Sequence, residues 1–250
     1  MTVQDMHYDF KFKLNKLDSS DYSNFQIPEI DWLLNESMWV FLKQKYGINN
    51  SKRQGFEVTQ KRIDDLRNLV MKNISLPGSQ VTLDPISYEA TLPHDYIFSI
   101  RLQADLSKES CSTVRKSVCV QTQHDDLSRV LKDPYYGPSF DWEEIPVVFG
   151  TTGDTVADSD KVFGYTDGTF VVDQFIMDYL RAPKKISFSE GVLPQGEYKY
   201  PDGSVTDVNQ NCELPAHTHN EIVDLAVQIA AGNIDHPGYQ LKAVKTAQNE

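Results

Sequence analysis

Hydrophobic period changes along this chain, and the order of the changes restricts the fold more than any single motif. From Tyr96 to Leu106 apolar residues recur at every second position. Tyr96, Phe98, Ile100, Leu102, Ala104 and Leu106 share one face, while Ser99, Arg101, Gln103 and Asp105 share the other, which is the pattern of a half-buried strand. Near the end, Ile222, Leu225, Ala226, Ile229 and Ala230 follow helical spacing. Val223 and Val227 widen that stripe, so the helix is well buried, and Gly232 ends it. A buried terminal helix needs a partner. The best one lies at the other end of the chain, so strands are inserted into a helical body built from both ends.

At that other end, a helix is predicted from about Pro28 to Tyr46. Pro28 suits the first turn, Glu29 and Asp31 complement the dipole, and Gly47 supplies the stop. Ile30, Leu33, Leu34, Met38, Phe41 and Leu42 form its apolar stripe, with Trp32, Trp39 and Val40 off the stripe. A helix apolar on more than one side is either central to its own core or shared with a neighbour. A second helix is expected from about Thr59 to Asn73, on Ile63, Leu66 and Val70, making a helical hairpin.

Before these, Tyr8, Phe10, Phe12 and Leu14 alternate with Asp9, Lys11 and Lys13, which predicts a strand pairing either with the distant strands or with another chain. Val114, Val118 and Val120 suggest a strand antiparallel to the one through Leu102. The stretch HDDLSRVLKDP holds a short helix ended by Pro134. YTDGTF and YPDGSV carry Asp-Gly hairpin turns, and GTFVVDQFIMDYL reads as a buried strand, although periodicity alone leaves a helix open. The organisation is thus an N-terminal strand or arm (1–24), a helical hairpin (25–80), an inserted β domain (81–208), a C-terminal helix completing the helical bundle (209–235) and a polar tail (236–250). The fold class is α+β: a bundle of N- and C-terminal helices with an inserted, mostly antiparallel β domain.

Composition excludes several functions. The 250 residues carry a formal charge of −12 and only short basic clusters, a poor basis for wrapping nucleic acid. No window approaches the roughly 18 apolar residues of a membrane span, and the N-terminus lacks the apolar core of a signal peptide. Cytoplasmic synthesis is expected. Three cysteines without C-x-x-C spacing point to free thiols rather than a disulfide framework or zinc ribbon.

Two features invite a chemical reading. His217 and His219 precede the last helix, with Cys212 upstream. Inside a helix, positions two apart diverge by roughly 200°, so a metal needs an extended segment here, and no fourth ligand is indicated. Thr218 and Glu221 instead form a T-x-x-E capping box, with Pro215 as an alternative first turn. A metal-dependent hydrolase using His217, His219 and an acidic partner is the enzyme alternative. DSDKVFGYTDG fails the calcium-loop pattern at Val162, Phe163 and Thr169. The second feature is DPYYGPSFDWEEIP, where Tyr135, Tyr136, Phe140 and Trp142 crowd an acidic loop. Such aromatics either form a protein interface or pack on their own domain.

Three stretches resemble the virion ring proteins of crAss-like bacteriophages, which form collars between portal and tail and are akin to the tail adaptor proteins of short-tailed phages. YDFKFKLNKLDSSDYSNFQIPEIDWLLNESMWVFLKQ is similar to their N-terminal segment and E-I-x-x-x-L-N helix, with Ser37 at the small-residue position. LPHDYIFSIRL and DYLRAPKKI are similar to strands that open and close their sheet. ELPAHTHNEIVDLAVQIA is similar to their closing helix, with its L-P-x-H-x-H-x-x-I-V pattern. The resemblance implies a structural protein without catalysis or cofactor, a dodecameric homo-oligomeric ring meeting the portal and other ring or tail proteins. DNA then passes an acidic lumen without specific binding, and the protein resides in the virion after assembly in the host cytoplasm. It makes Tyr8, Phe10, Phe12, Trp32 and Trp39 candidate subunit contacts, and the aromatic loop, which looks like a local elaboration, adds Tyr135, Tyr136 and Trp142 to the candidate interface. A host-surface binding module carried by the virion is the other alternative.

Overall fold

The computed structural model describes residues 1–15, 25–46, 60–82, 84–109, 111–151, 160–188 and 209–233. Its elements, in chain order, are α1 (Val3–Asn15), α2 (Ile27–Tyr46), α3 (Gln60–Leu66), β1 (Val70–Pro77), β2 (Ser79–Val81), β3 (Asp84–Thr91), β4 (Tyr96–Lys108), β5 (Cys111–Gln121), α4 (Leu127–Val130), β6 (Glu144–Thr151), β7 (Asp160–Tyr165), β8 (Val171–Arg181) and α5 (His219–Asn233). They form two compact units. One combines Met1–Leu69 with Pro183–Glu250; the other is Val70–Ala182. Helices from both ends of the chain thus flank an inserted, mostly antiparallel β-sheet. The Asp-Gly turn of YPDGSV and the tail 236–250 lie outside the described residues.

The first segment is a helix, not the expected strand. Val3, Met6, His7 and Phe10 are buried, at i, i+3, i+4 and i+7, one helical stripe. The alternation from Tyr8 to Leu14 holds only if Val3 and Met6 are left out of the pattern. A reciprocal cap starts the helix: the Asp5 N–H donates to Thr2 Oγ1 at 3.2 Å and the Thr2 N–H to Asp5 Oδ2 at 2.9 Å, the logic of a capping box with aspartate as its acid. Phe10 is fully buried and meets Phe25 edge-on, with centroids 5.8 Å apart. It therefore leaves the candidate interface, because this chain's own core already covers it.

In α2 all six stripe residues are buried, and Trp32 and Trp39 are exposed. α5 packs against both α2 and α1. Lys13 fastens α1 to α5 by reaching Asp9 at 2.6 Å and Asp224 at 2.9 Å. The expected second helix is shorter than its stripe: after α3 a single 3₁₀ turn, Arg67–Leu69, leads into β1 at Val70. Val70 continues the helical spacing but is β-branched and pairs with Leu180 of β8, so tertiary pairing overrides local pattern.

The inserted unit is one eight-stranded sheet in the order β1-β8-β4-β5-β6-β7-β3-β2. Its two outermost strands, β1 and β2, are halves of a single extended stretch parted only by Gly78. That stretch pairs with β8 up to Pro77 and with β3 from Ser79, so the sheet rolls round until its edges meet and few backbone groups are left without a ladder partner. At the handover the Gly78 N–H donates to Asp173 O at 3.1 Å. A Cβ on Gly78 would lie 2.8 Å from Val172 O, a backbone atom with little room to retreat.

The inner face carries Leu102, Ala104, Leu106, Val147, Phe175, Met177 and Tyr179. Phe175 fills the space left by Gly164, where a Cβ would meet its ring at 2.9 Å. Tyr179 donates its hydroxyl to Asp95 at 2.9 Å, and burial with that carboxylate pushes its pKa up to about 12. The six-residue alternation predicted in β4 is interrupted by register shifts after Tyr96, after Ser99 and after Asp105. Only Leu102, Ala104 and Leu106 of the six are buried. The Asp167–Gly168 turn forms, with Gly168 at φ 82°, but it makes no hairpin: β7 pairs with β3 and β6, whereas β8 pairs with β1 and β4.

Gly78→Ala should lower the stability of the β unit by about 1–3 kcal/mol through overpacking against the Val172 carbonyl. Gly150→Ala, whose added carbon meets only Phe163 and His124 side-chain atoms at 3.6 and 3.9 Å, should be tolerated. Urea midpoints of the two variants check this. Phe10→Ala should cost about 3–5 kcal/mol, while Tyr8→Ala should stay within about 0.5 kcal/mol of the parent, the opposite of what two neighbours on one face of a strand would show.

Candidate functional site

Three sets of aromatic side chains stand out from their own units. On α2, Trp32, Glu36, Trp39 and Lys43 fall at i, i+4, i+7 and i+11, one line up the helix. That line runs opposite the buried one, and Trp32 and Trp39 are 51% and 36% exposed. On α1, Tyr8 and Phe12 sit one turn apart on the face away from Phe10, and both are exposed. The third set is in the β unit. β5 and β6 are parallel neighbours, so the chain between them must cross over. The crossover, residues 122–143, contains α4 and the aromatic loop. Tyr135, Tyr136 and Trp142 are 87%, 76% and 79% exposed, whereas Phe140 is buried.

The crossover is fastened by its own residues. Asp133 Oδ1 accepts the N–H groups of Tyr135 and Tyr136 at 2.8 and 3.3 Å. The Gly137 N–H donates to Asp133 O at 2.9 Å, an approach that leaves 2.5 Å for any Cβ on Gly137. Phe140 caps the sheet interior against Phe170, centroids 5.9 Å apart, with the Arg115 guanidinium 4.8 Å and Lys108 Nζ 5.7 Å from its ring centre. Ser139 and Glu144 form a β-bridge, and the Trp142 N–H donates to Ser139 Oγ at 3.2 Å. Of the four aromatics in the loop, one is an anchor and three are presented to solvent.

The histidines have structural partners rather than a shared centre. His217 Nε2 lies 2.9 Å from Asp65 Oδ1, and Asp65 is fully buried. His219 Nε2 donates to Leu214 O at 2.9 Å. Cys212 is buried, and that burial pushes its thiol up to about 11. Among the described residues no three His, Cys, Asp or Glu side chains converge as a metal set. The capping box does not form either. Thr218 belongs to a 3₁₀ turn beginning after Pro215 and donates its hydroxyl to Pro215 O at 2.9 Å. Glu221 faces Lys45 at 3.5 Å and Lys61 at 3.4 Å. Two lysines draw the carboxylate away from the backbone cap.

The polar residues of the α2 segment are spent in the same way. His7 Nε2 donates to Asp31 Oδ1 at 2.7 Å within the core, and Asp31 Oδ2 accepts the Phe188 N–H at 3.0 Å. Asn35 pairs with both backbone groups of Ile186, donating to its O and accepting from its N–H at 2.8 Å each. These contacts fasten the returning chain, residues 183–188, along α2. Nothing in the sequence announced the His7–Asp31 pair, whose members are far apart and sit on different helices. The exposure of Val114, Val118 and Val120 was also missed, although their parity with Lys116 along β5 marks them as the outer face.

Burial of the His219 imidazole holds its pKa below the ordinary 6.5. The fold therefore binds its neutral form, and the unfolded chain takes up a proton first. Stability from this residue is complete above the ordinary histidine value and is lost as pH falls below about 6.5. His219→Gln, which cannot titrate, should flatten that acid-side loss in urea midpoints measured across this range.

Among curated proteins none matches the chain. A family model described as phage tail ring protein 3/4 matches residues 1–235. The chain belongs to that family of crAss-like phages, and it is a structural ring protein of the virion's tail and connector region.

Proposed function

From membership of this ring family, we propose that the chain closes into a homo-oligomer of twelve copies at the portal–tail junction, and that outward faces of α1 and α2 supply the contact between sister subunits. The observation that carries this reading is the double use of α2. One side already fills the core, yet the opposite side presents Trp32 and Trp39, seven positions apart. Exposed tryptophans aligned on a rigid helix are the side chains that most often dominate binding energy. The line also carries both signs of charge, Glu36 and Lys43, so it does not repel a partner of either sign.

A ring needs each copy to offer two different surfaces so that rotation closes the assembly. Tyr8 and Phe12 on α1 are the second set of this unit. The number twelve follows from the resemblance to collars that match a portal. Portal and other ring or tail proteins are the expected neighbours above and below. With a net charge of −12, the ring would neutralise few phosphates, so DNA slides through the lumen without specific binding. The finished ring resides in the virion after assembly in the host cytoplasm.

Light scattering after size exclusion, with electron microscopy of the same fraction, tests the reading in the full chain, alone and mixed with the portal. A closed ring is expected. Trp32→Ala with Trp39→Ala should cost at least about 2 kcal/mol per contact, roughly 30-fold in the association constant, and shift the population to single subunits while the circular dichroism spectrum stays that of the folded chain. A persistently monomeric parent, or a double variant that assembles like the parent, defeats the proposal.

A further inference from the structure

We propose that the crossover between β5 and β6 is a docking site for a cationic, partly apolar segment of a different virion protein. The inference takes from the ring reading only its setting, an assembly of unlike proteins.

Three observations carry it. The first is the standing exposure of Tyr135, Tyr136 and Trp142 on a loop that is locked at both ends. Phe140 is seated beneath it, and the Asp133 turn and the Ser139–Glu144 bridge fix its course. A backbone held in place before binding loses little freedom on contact.

The second is an acidic balance. The crossover carries Asp125, Asp126, Asp133, Asp141 and Glu143 against Arg129 and Lys132, and from Asp133 to Glu144, the stretch that holds the exposed rings, its charged residues are all carboxylates. Arg115 approaches Asp141 only to 3.6 Å, and the Asp141 side chain remains 86% exposed. On the outer face of β5, Lys116 is an exposed cation between Val114 and Val118, so the acidic part of the surface is the loop and not the strand. A guanidinium satisfies both halves of this surface, since it stacks on tyrosine and tryptophan faces and pairs with carboxylates.

The third is continuity with an apolar strand face. Val118 accepts its ladder partner from the loop itself, its N–H donating to Glu143 O at 2.8 Å. Val118 and Val120 then extend the patch along the outside of β5, both exposed. An extended segment alternating cationic and apolar side chains fits that outline.

The charge also decides among occupants. A sister copy brings the same −12 and the same acidic loop, unlike the mixed-sign line on α2. DNA is repelled by the carboxylates.

The probe is a fluorescein-labelled peptide of alternating arginine and leucine, titrated into the full-length protein and read by anisotropy, with a glutamate-for-arginine peptide alongside. The parent should bind the first and ignore the second, more weakly as salt is raised. Two variants, Tyr135→Ala/Tyr136→Ala/Trp142→Ala and Glu143→Gln/Glu144→Gln, should each weaken binding about tenfold or more and leave the light-scattering mass unchanged. Equal binding by parent and variants overturns the proposal, as does a parent that binds neither peptide. Loss of the oligomer in the loop variants overturns it too, making the loop a sister contact, and duplex DNA binding that vanishes in them assigns it to nucleic acid instead. Trp32→Ala/Trp39→Ala, which tests the ring itself, should keep full peptide affinity, so the two readings fail separately.

Discussion

The pairing of β1 with β8 is the constraint on which the rest of the structure depends. These are the first and last strands of the insertion, and they are antiparallel neighbours up to their ends, with Val70 opposite Leu180 and Met71 opposite Tyr179. The chain therefore leaves and re-enters its helical unit at nearly one place. Without that zipper, the two ends of the polypeptide would have to find each other across a loop of more than a hundred residues, against the entropy of closing it. With it, the returning segment can lie along α2, where Asp31 and Asn35 receive the backbone of Phe188 and Ile186, and α5 completes the core between α1 and α2.

That economy explains why the residues that look chemical are inert. α2 and the segment that enters α5 carry Asp31, Asn35, His217 and His219, a set that in another fold would suggest a metal or a proton relay. Here each is committed. A buried carboxylate without donors is costly, and Asp31 has two. His217 answers the buried Asp65, and His219 answers a carbonyl at the start of its own helix. A structural ring protein has no substrate to orient, so its polar core residues serve to hold two chain ends together.

The surface divides in the complementary way. The helical unit shows aromatic residues among charges of both signs. The β unit shows its exposed aromatic residues in a mainly acidic stretch, on a crossover that the parallel β5–β6 step makes unavoidable. Exposed rings on braced elements suit contact with a partner, because a backbone that is already fixed loses little freedom on binding.

Much of this was legible in the residues. Periodicity located α2, α5, β4 and β5, because those patterns are read within one element, while the continuous apolar run at β8 reads as a strand and leaves a helix open. The alternation of β5, with Lys116 among its valines, even carried the information about which face is outside. What failed did so where distant partners decide. The α1 segment reads as a strand over Tyr8 to Leu14 and as a helix once Val3 and Met6 join the pattern, and only packing against α5 and α2 selects between them. Val70 continues a helical stripe until Leu180 claims it for a sheet. The Asp167–Gly168 turn has hairpin chemistry, yet closure of the sheet at Gly78 sends its two flanks to different neighbours. By itself the sequence determined the fold class, the inserted order and the aromatic residues available for contact, since these follow from local pattern and composition. Tertiary structure alone decided which of those aromatics stay outside: Phe10 and Phe140 went into cores, because burying a ring depends on what the opposite element leaves open, and no local pattern contains that.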